Sequence, residues 1–377
     1  MDLSSASFAY PRLDGPARAA VARELVTHAF PPGVFVLSTC LRVEVAVAGD
    51  EIELKGRLGD LFGELPAEPE IRGGQEAGEH LFRVAAGLES PIVGEVEVLT
   101  QFRQALNELK ANPPVDGAFL KLIESAVAAG RRARDAMDTS PHDTMAALAA
   151  QMVGTHAEVA VVGSGTMAAA VVAALGALPA PPRVVMLSRR PENVSHEHLD
   201  LIALDDLPEV ISAYPAVVSA TAASTRLMEN DRLAEALKGR ITPLTLVDMA
   251  MPPDFSPPSR APVTYVGIDD LARLARRREV ATDVADQVAA EAQNAHHRYT
   301  QGRVGPLIAG MLTAGEAVVS ETVERFAGRL TNPDDRDVLH QTAHTVARTI
   351  LDRPVRALRS SEDPRIVEAL ASVFDDD

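Results

Sequence analysis

The spacing of apolar positions changes rhythm twice along the chain. In the first part, helical and strand patterns are mixed. Helical spacing runs over residues 17–30 and is stopped by Pro31-Pro32-Gly33. The apolar run Val34-Phe35-Val36-Leu37 and the alternation Val43, Val45, Val47 around Glu44 predict two strands joined by a tight turn. An amphipathic helix is expected over 51–62, ended by Gly63 and Pro66. Further helices are expected up to Gly87, over 95–110 and over 115–137. An irregular loop with Ser90, Pro91 and Gly94 separates the first two. Helix, strand, strand, helix suits a small α+β unit.

Beyond Pro141 the pattern changes. Asp143 is expected to cap a helix that runs to Val153. Continuous apolar segments at 158–162, 183–187, 216–220 and 244–248 predict buried strands, with a helix at 169–178. Such strands belong to a parallel sheet covered by helices on both faces. From Ile268 to Gln301 there is no Gly or Pro, so an unbroken helix there would reach roughly 50 Å. Helical patterns return over 306–330, 334–351 and 363–374.

Length and charge narrow the possibilities. At 377 residues the chain exceeds what one core supports, so two or three domains are expected. A net charge of −17 argues against nucleic-acid binding by bulk electrostatics. With no Trp and 4% aromatics, base stacking is a poor route as well. Any RNA contact therefore falls to local clusters: Arg131, Arg132 and Arg134, or Arg273, Arg276, Arg277 and Arg278. A single cysteine rules out an internal disulfide framework and a cysteine-rich metal site, and fits a reducing cytoplasm. Met1-Asp2-Leu3-Ser4 lacks the basic and apolar regions of a signal peptide. The longest apolar run, Met167 to Ala180, is too short to span a bilayer, so no membrane role is expected.

Two stretches carry candidate chemistry. Cys40 stands at the predicted turn, where a rigid scaffold exposes a reactive group. It reads either as a nucleophile or as a small buried hydrophobe. Arg42 would favour its thiolate or hold an anionic substrate. The second stretch is Gly163-Ser164-Gly165-Thr166-Met167-Ala168, with a strand before it and a helix after it. That is the context a G-x-G-x-x-A dinucleotide loop requires. The next strand ends in Ser188-Arg189-Arg190 where an NAD site has an acidic residue, which favours the 2′-phosphate of NADPH.

Thr39-Cys40-x-Arg42-x-Glu44, then His80-Leu81-Phe82, Ala85-Ala86-Gly87-Leu88-Glu89-Ser90 and Gly94-Glu95 together resemble the catalytic domain of the glutamyl-tRNA reductase family. Asp248-Met249-Ala250-Met251-Pro252-Pro253-Asp254 resembles a further loop of that family. The resemblance implies an α/β multidomain chain. Residues 1–140 would form an α+β catalytic domain and 141–268 a Rossmann-type NADP-binding domain. Residues 269–377 would form a long connecting helix with an all-α dimerisation domain. It implies Cys40 as a nucleophile that forms a thioester with the glutamyl group of glutamyl-tRNA(Glu). NADPH then reduces the thioester to glutamate-1-semialdehyde, the first step of tetrapyrrole (porphyrin) biosynthesis by the C5 route. His80 would lie beside the reacting carbonyl, and Thr39, Arg42, Ser90, Glu95 and Gln101 would bind the substrate. Gly163 to Met167 with Ser188, Arg189 and Arg190 would hold the cofactor, and no metal is implied. The partners implied are the tRNA, a second copy of the chain and the aminomutase that consumes the semialdehyde.

The chain departs from the family pattern at Leu41 (usually Asn), Glu97 (usually Gln) and Thr100 (usually Gly). Phe8-Ala9-Tyr10-Pro11-Arg12 also replaces a His-rich segment. These departures keep two alternatives in view. One is a diverged paralogue that reduces another aminoacyl-tRNA or carrier-bound acyl group. The other is a non-catalytic NADP-binding regulatory protein.

Overall fold

The structure is a computed structural model that describes the chain apart from residues 1–2, 28–29, 138–143, 192–198, 224, 258–262, 276–281, 328, 330–332 and 361–377. The expected cap Asp143, the expected helix at 363–374, and Arg276, Arg277 and Arg278 lie outside the described residues. Thr144 caps the helix instead, its Oγ1 accepting from Ala147 N at 3.0 Å.

A four-stranded antiparallel sheet organises the N-terminal part. Its strands are β1 (Ser4–Ala9), β2 (Phe35–Ser38), β3 (Arg42–Val47) and β4 (Glu70–Gly73), in the order β2-β3-β1-β4. The pattern along the chain predicts β2 and β3 but not β1, which is rich in serine. β1 is nevertheless central, and two of its three buried hydroxyls find partners: Ser4 Oγ donates to Gly49 O at 2.9 Å and Ser7 Oγ to Glu44 at 3.0 Å. The period-two rule then sorts β3. Val43, Val45 and Val47 face α1 (Gly15–Thr27) and α2 (Glu51–Phe62), packing with Phe8, Leu54 and Leu58. Ala46 joins Phe35, Phe82, Phe102 and Phe119 in a second core built by α3 (Gly74–Ala85), α4 (Val96–Ala111) and α5 (Gly117–Ala136).

The second sheet has six parallel strands: β5 (Glu158–Val162), β6 (Arg183–Ser188), β7 (Asp200–Ala203), β8 (Ala216–Ser219), β9 (Leu244–Asp248) and β10 (Val263–Gly267). Their order is β10-β9-β8-β5-β6-β7. In order of appearance this is the doubly wound 3-2-1-4-5-6 arrangement, whose switch point lies between β5 and β8. Helices α6 (Met145–Val153), α7 (Thr166–Gly176), α8 (Leu207–Ala213), α9 (Asn230–Ala236) and α10 (Ile268–Leu274) accompany it.

The C-terminal helices differ from expectation. The helix that begins at Ile268 stops at Leu274, and α11 (Thr282–Ala327) then runs 46 residues through position 306. α12 (Pro333–Ser360) likewise continues through Pro354. An internal proline costs about 3 kcal/mol. Burial along nearly the whole of α11 outweighs that cost. Val284, Val288, Ala292, Ala295 and Tyr299 enter the core of α3 and α5, and Ile308 and Met311 pack with Val355 and Leu358 of α12. Leu312, Val318, Phe326, Val338, Val346 and Ile350 on this helix pair are exposed. No described helix is long and apolar enough to cross a membrane.

Candidate active site

The β2–β3 turn is held by its own residues. Thr39 N donates to Arg42 O at 2.8 Å, and Thr39 Oγ1 accepts from Leu41 N at 3.2 Å and Arg42 N at 3.1 Å. Thr39 is thus a turn-former as well as a lining residue. Leu41 is buried with Ile92 among Met145, Ala149 and Val171, so the turn is wedged into the core of the parallel-sheet unit. Between them Cys40 is half-buried.

Behind the turn, Glu44 is fully buried on β3. It accepts from Ser7 Oγ at 3.0 Å and from the Arg42 guanidinium at 3.1 Å, and His80 Nε2 lies 3.0 Å away. Burial pushes its carboxyl up, but His80, Arg42 and the Ser7 hydroxyl outweigh that and hold it below the usual carboxylate range. Arg42 also donates to Glu89 O. The turn motif contains Glu44, but nothing in the sequence shows it as a hub. The available signal is a lone acid inside an apolar alternation.

Ahead of the turn lies a narrow cleft of about 10 Å³, lined by Thr39, Cys40, Arg42, Ser90, Glu95, Glu97 and Gln101 among others. His80 does not line it; its contact runs through Glu44. Glu95 is buried, with Met145 N donating to it at 3.5 Å. Burial and then the charge of Glu97 push its carboxyl up to about 8. Burial, followed by Glu95, pushes the Cys40 thiol up to about 12 against the opposing pull of Arg18; Glu97 adds a smaller push. The expectation that Arg42 favours the thiolate is therefore corrected. Its guanidinium is committed to Glu44 and Glu89, while carboxylates face the sulfur.

The cleft opens into a cavity of about 770 Å³, within the range of small-molecule sites. Ser38, Thr39, Cys40 and Gln101 line one side, and Gly163 to Met167 with Ser188, Arg189 and Arg190 line the other. Gly163 has φ +117°, and a Cβ there would meet Ala220 O at 2.6 Å, so only glycine fits. At Gly165 a Cβ would meet nothing within 4 Å, which leaves the start of α7 open to a pyrophosphate. Ser188 Oγ bonds Ser164 Oγ at 3.2 Å and accepts from Arg190 N at 3.2 Å. The Arg189 and Arg190 side chains are exposed at the end of β6. Asp254, unmarked by the sequence beyond its place in a loop motif, receives Ser219 and Thr221 hydroxyls at 2.6 Å each and fixes the Thr221-Ala222-Ala223 wall. Nearby Asp248 is pushed up to about 7 by burial and then by Asp254. This donor set and the glycine cradle fit a nicotinamide dinucleotide.

The arginine clusters are less free than expected. Arg132 is bound by Glu291 of α11, and Arg273 by Asp270. Arg131 is exposed.

A doubly wound unit whose dinucleotide cradle shares one cavity with a thiol on a separate α+β unit defines a nicotinamide-dinucleotide-dependent oxidoreductase. Three family descriptions match in chain order. They are the glutamyl-tRNA reductase N-terminal domain over 13–137, shikimate/quinate 5-dehydrogenase over 147–274, and the glutamyl-tRNA reductase dimerisation domain over 284–376. A glutamyl-tRNA reductase of Kineococcus radiotolerans is 31% identical, over 94% of this chain and 87% of its own length. That of Archaeoglobus fulgidus is 28% identical over 90% and 83%. The solved glutamyl-tRNA reductase of Methanopyrus kandleri shares the fold, with TM-score 0.55 at 24% identity, covering 99% of this chain and 98% of that one. The chain belongs to the glutamyl-tRNA reductase family.

Proposed function

We propose that this chain reduces glutamyl-tRNA(Glu) to glutamate-1-semialdehyde through a Cys40 thioester, using NADPH, as the first step of tetrapyrrole synthesis by the C5 route. The observation that carries the reading is that Cys40 and the Gly163–Met167 loop line one cavity. The Cys40 sulfur bonds to the aminoacyl carbonyl carbon and the ester C–O bond breaks. The thiol proton ends on the departing ribose hydroxyl. When bound, the dinucleotide would supply a hydride to the thioester carbonyl carbon; the C–S bond would then break and a proton from solvent would restore the Cys40 thiol. Thr39 shapes the turn, and Ser90, Glu95 and Gln101 line the acyl cleft. Glu44 positions Arg42 and His80. His80 acts on the cleft through that network as a positioning residue.

The exposed Arg189 and Arg190 with Ser188 support NADPH over NADH. The exposed apolar residues of α11 and α12, within the match to a dimerisation domain, support a homodimer. The reading includes a division into 1–140, 141–268 and 269–377, which the two separate sheets and the long helix pair support. It also places the chain in a reducing cytoplasm, where a lone catalytic thiol survives. The test is NADPH oxidation with glutamyl-tRNA, with free glutamate as the control. Cys40→Ser is expected to abolish it. Reduction by Cys40→Ser at the parental rate sinks the thioester.

A further inference from the structure

We propose that Glu97 receives the α-ammonium group of the substrate and so selects aminoacyl over other acyl esters in the cleft beside Cys40. This rests on the acyl-transfer reading above and names the group that reading leaves unassigned.

Glu97 stands in the first turn of α4 and lines the cleft together with Cys40. Its Oε2 is buried and has no hydrogen-bond partner among the described residues. Buried carboxylate oxygens are costly to leave unpaired, and an unpaired one in a site marks a place for a donor. The other acid of this wall, Glu95, is already engaged by Met145 N. Across the cleft stand Ser90 and Arg42. The Arg42 guanidinium is already taken by Glu44 and Glu89 O, which leaves Glu97 Oε2 as the buried acceptor of this cleft without a partner among the described residues. A glutamyl ester carries an ammonium on the carbon next to the reacting carbonyl and a carboxylate three carbons further on. The ammonium fits the wall that Glu97 lines.

The ammonium also changes the thiol. The charges of Glu95 and Glu97 both help to keep Cys40 protonated, and a cation seated between them offsets that push as the carbonyl arrives.

The experiment compares glutamyl-tRNA with the same material treated with nitrous acid, which exchanges the α-amino group for a hydroxyl. Acylation of Cys40 without NADPH is followed by mass spectrometry of the intact protein. The parent is expected to react about ten- to a hundredfold faster with the amino form, the range expected for a charge-assisted hydrogen bond. In Glu97→Gln the ratio is expected to fall to within threefold of one, with an unchanged melting curve. Glu97→Asp, which keeps the charge, is expected to retain most of the preference. Equal discrimination by the parent and Glu97→Gln overturns the proposal, as does a parent that accepts both forms alike. A parent acylated by neither form removes the acyl-transfer reading itself, and this proposal falls with it.

Discussion

Alkylation of Cys40 by iodoacetamide tests the electrostatics of the turn directly. Only the thiolate reacts. With the ordinary value of 9.0 a thiol is about 9% ionised at pH 8; at about 12 it is about 0.01% ionised. The folded protein should therefore react about a thousandfold more slowly at pH 8 than the same protein in urea. Steric shielding also slows the reaction, so the pH profile separates the two causes. The causes are burial and the carboxylates, which favour the neutral thiol, so the folded state holds its proton to higher pH. Its labelling rate should still climb about tenfold per unit past pH 10, whereas the unfolded rate levels off near 9. The assay is quenched labelling followed by mass spectrometry of the Cys40 peptide. A folded-state rate that flattens by pH 9 refutes the assignment and restores Arg42 as an activator.

Arg189→Ala with Arg190→Ala should raise KM for NADPH about ten- to a hundredfold, the worth of charge-assisted contacts to a phosphate, and leave KM for NADH within about threefold, as read by steady-state kinetics. Glu44→Ala strands a buried guanidinium and should cost about 3–5 kcal/mol, read as a lower urea midpoint of the N-terminal unit. The Glu44 carboxyl is held below its ordinary 4.5, so its contribution is present above that value and lost as pH falls through the folded value; parent and Glu44→Gln melting temperatures should therefore converge in acid. Val338→Asp with Ile350→Asp should convert a dimer of twice 40.0 kDa to a monomer by light scattering.

Strands whose side chains alternate or run apolar were legible along the chain: β2, β3, β5, β6, β8 and β9. β1 was not, because a serine-rich segment looks like loop until the partners of Ser4 and Ser7 are known. Short β4 and β7 carry little apolar signal of their own. Cys40 and the glycine loop were marked by local sequence, since a turn and a close backbone approach depend on neighbouring residues. The state of the thiol was not legible, because it depends first on burial and then on Glu95, more than fifty residues away. The commitment of Arg42 and His80 to Glu44 is likewise a product of strand β3 lying under α3. Glycine and proline placed a break between Gln301 and position 306, yet packing on both sides kept α11 whole.

That unbroken helix is a lever. With 46 residues it extends about 69 Å. Its first turns are gripped by α3 and α5, and its far half carries α12. A rotation of about 5° where it is gripped sweeps the far end through about 6 Å, roughly one helical turn. A rearrangement of the α+β unit would thereby be delivered, magnified, at the tip. Arg18, buried against Tyr10 and paired with Asp269 at the start of α10, pins the parallel-sheet unit to the same α+β unit. That tie holds the thiol and the dinucleotide cradle in register at the base of the helix.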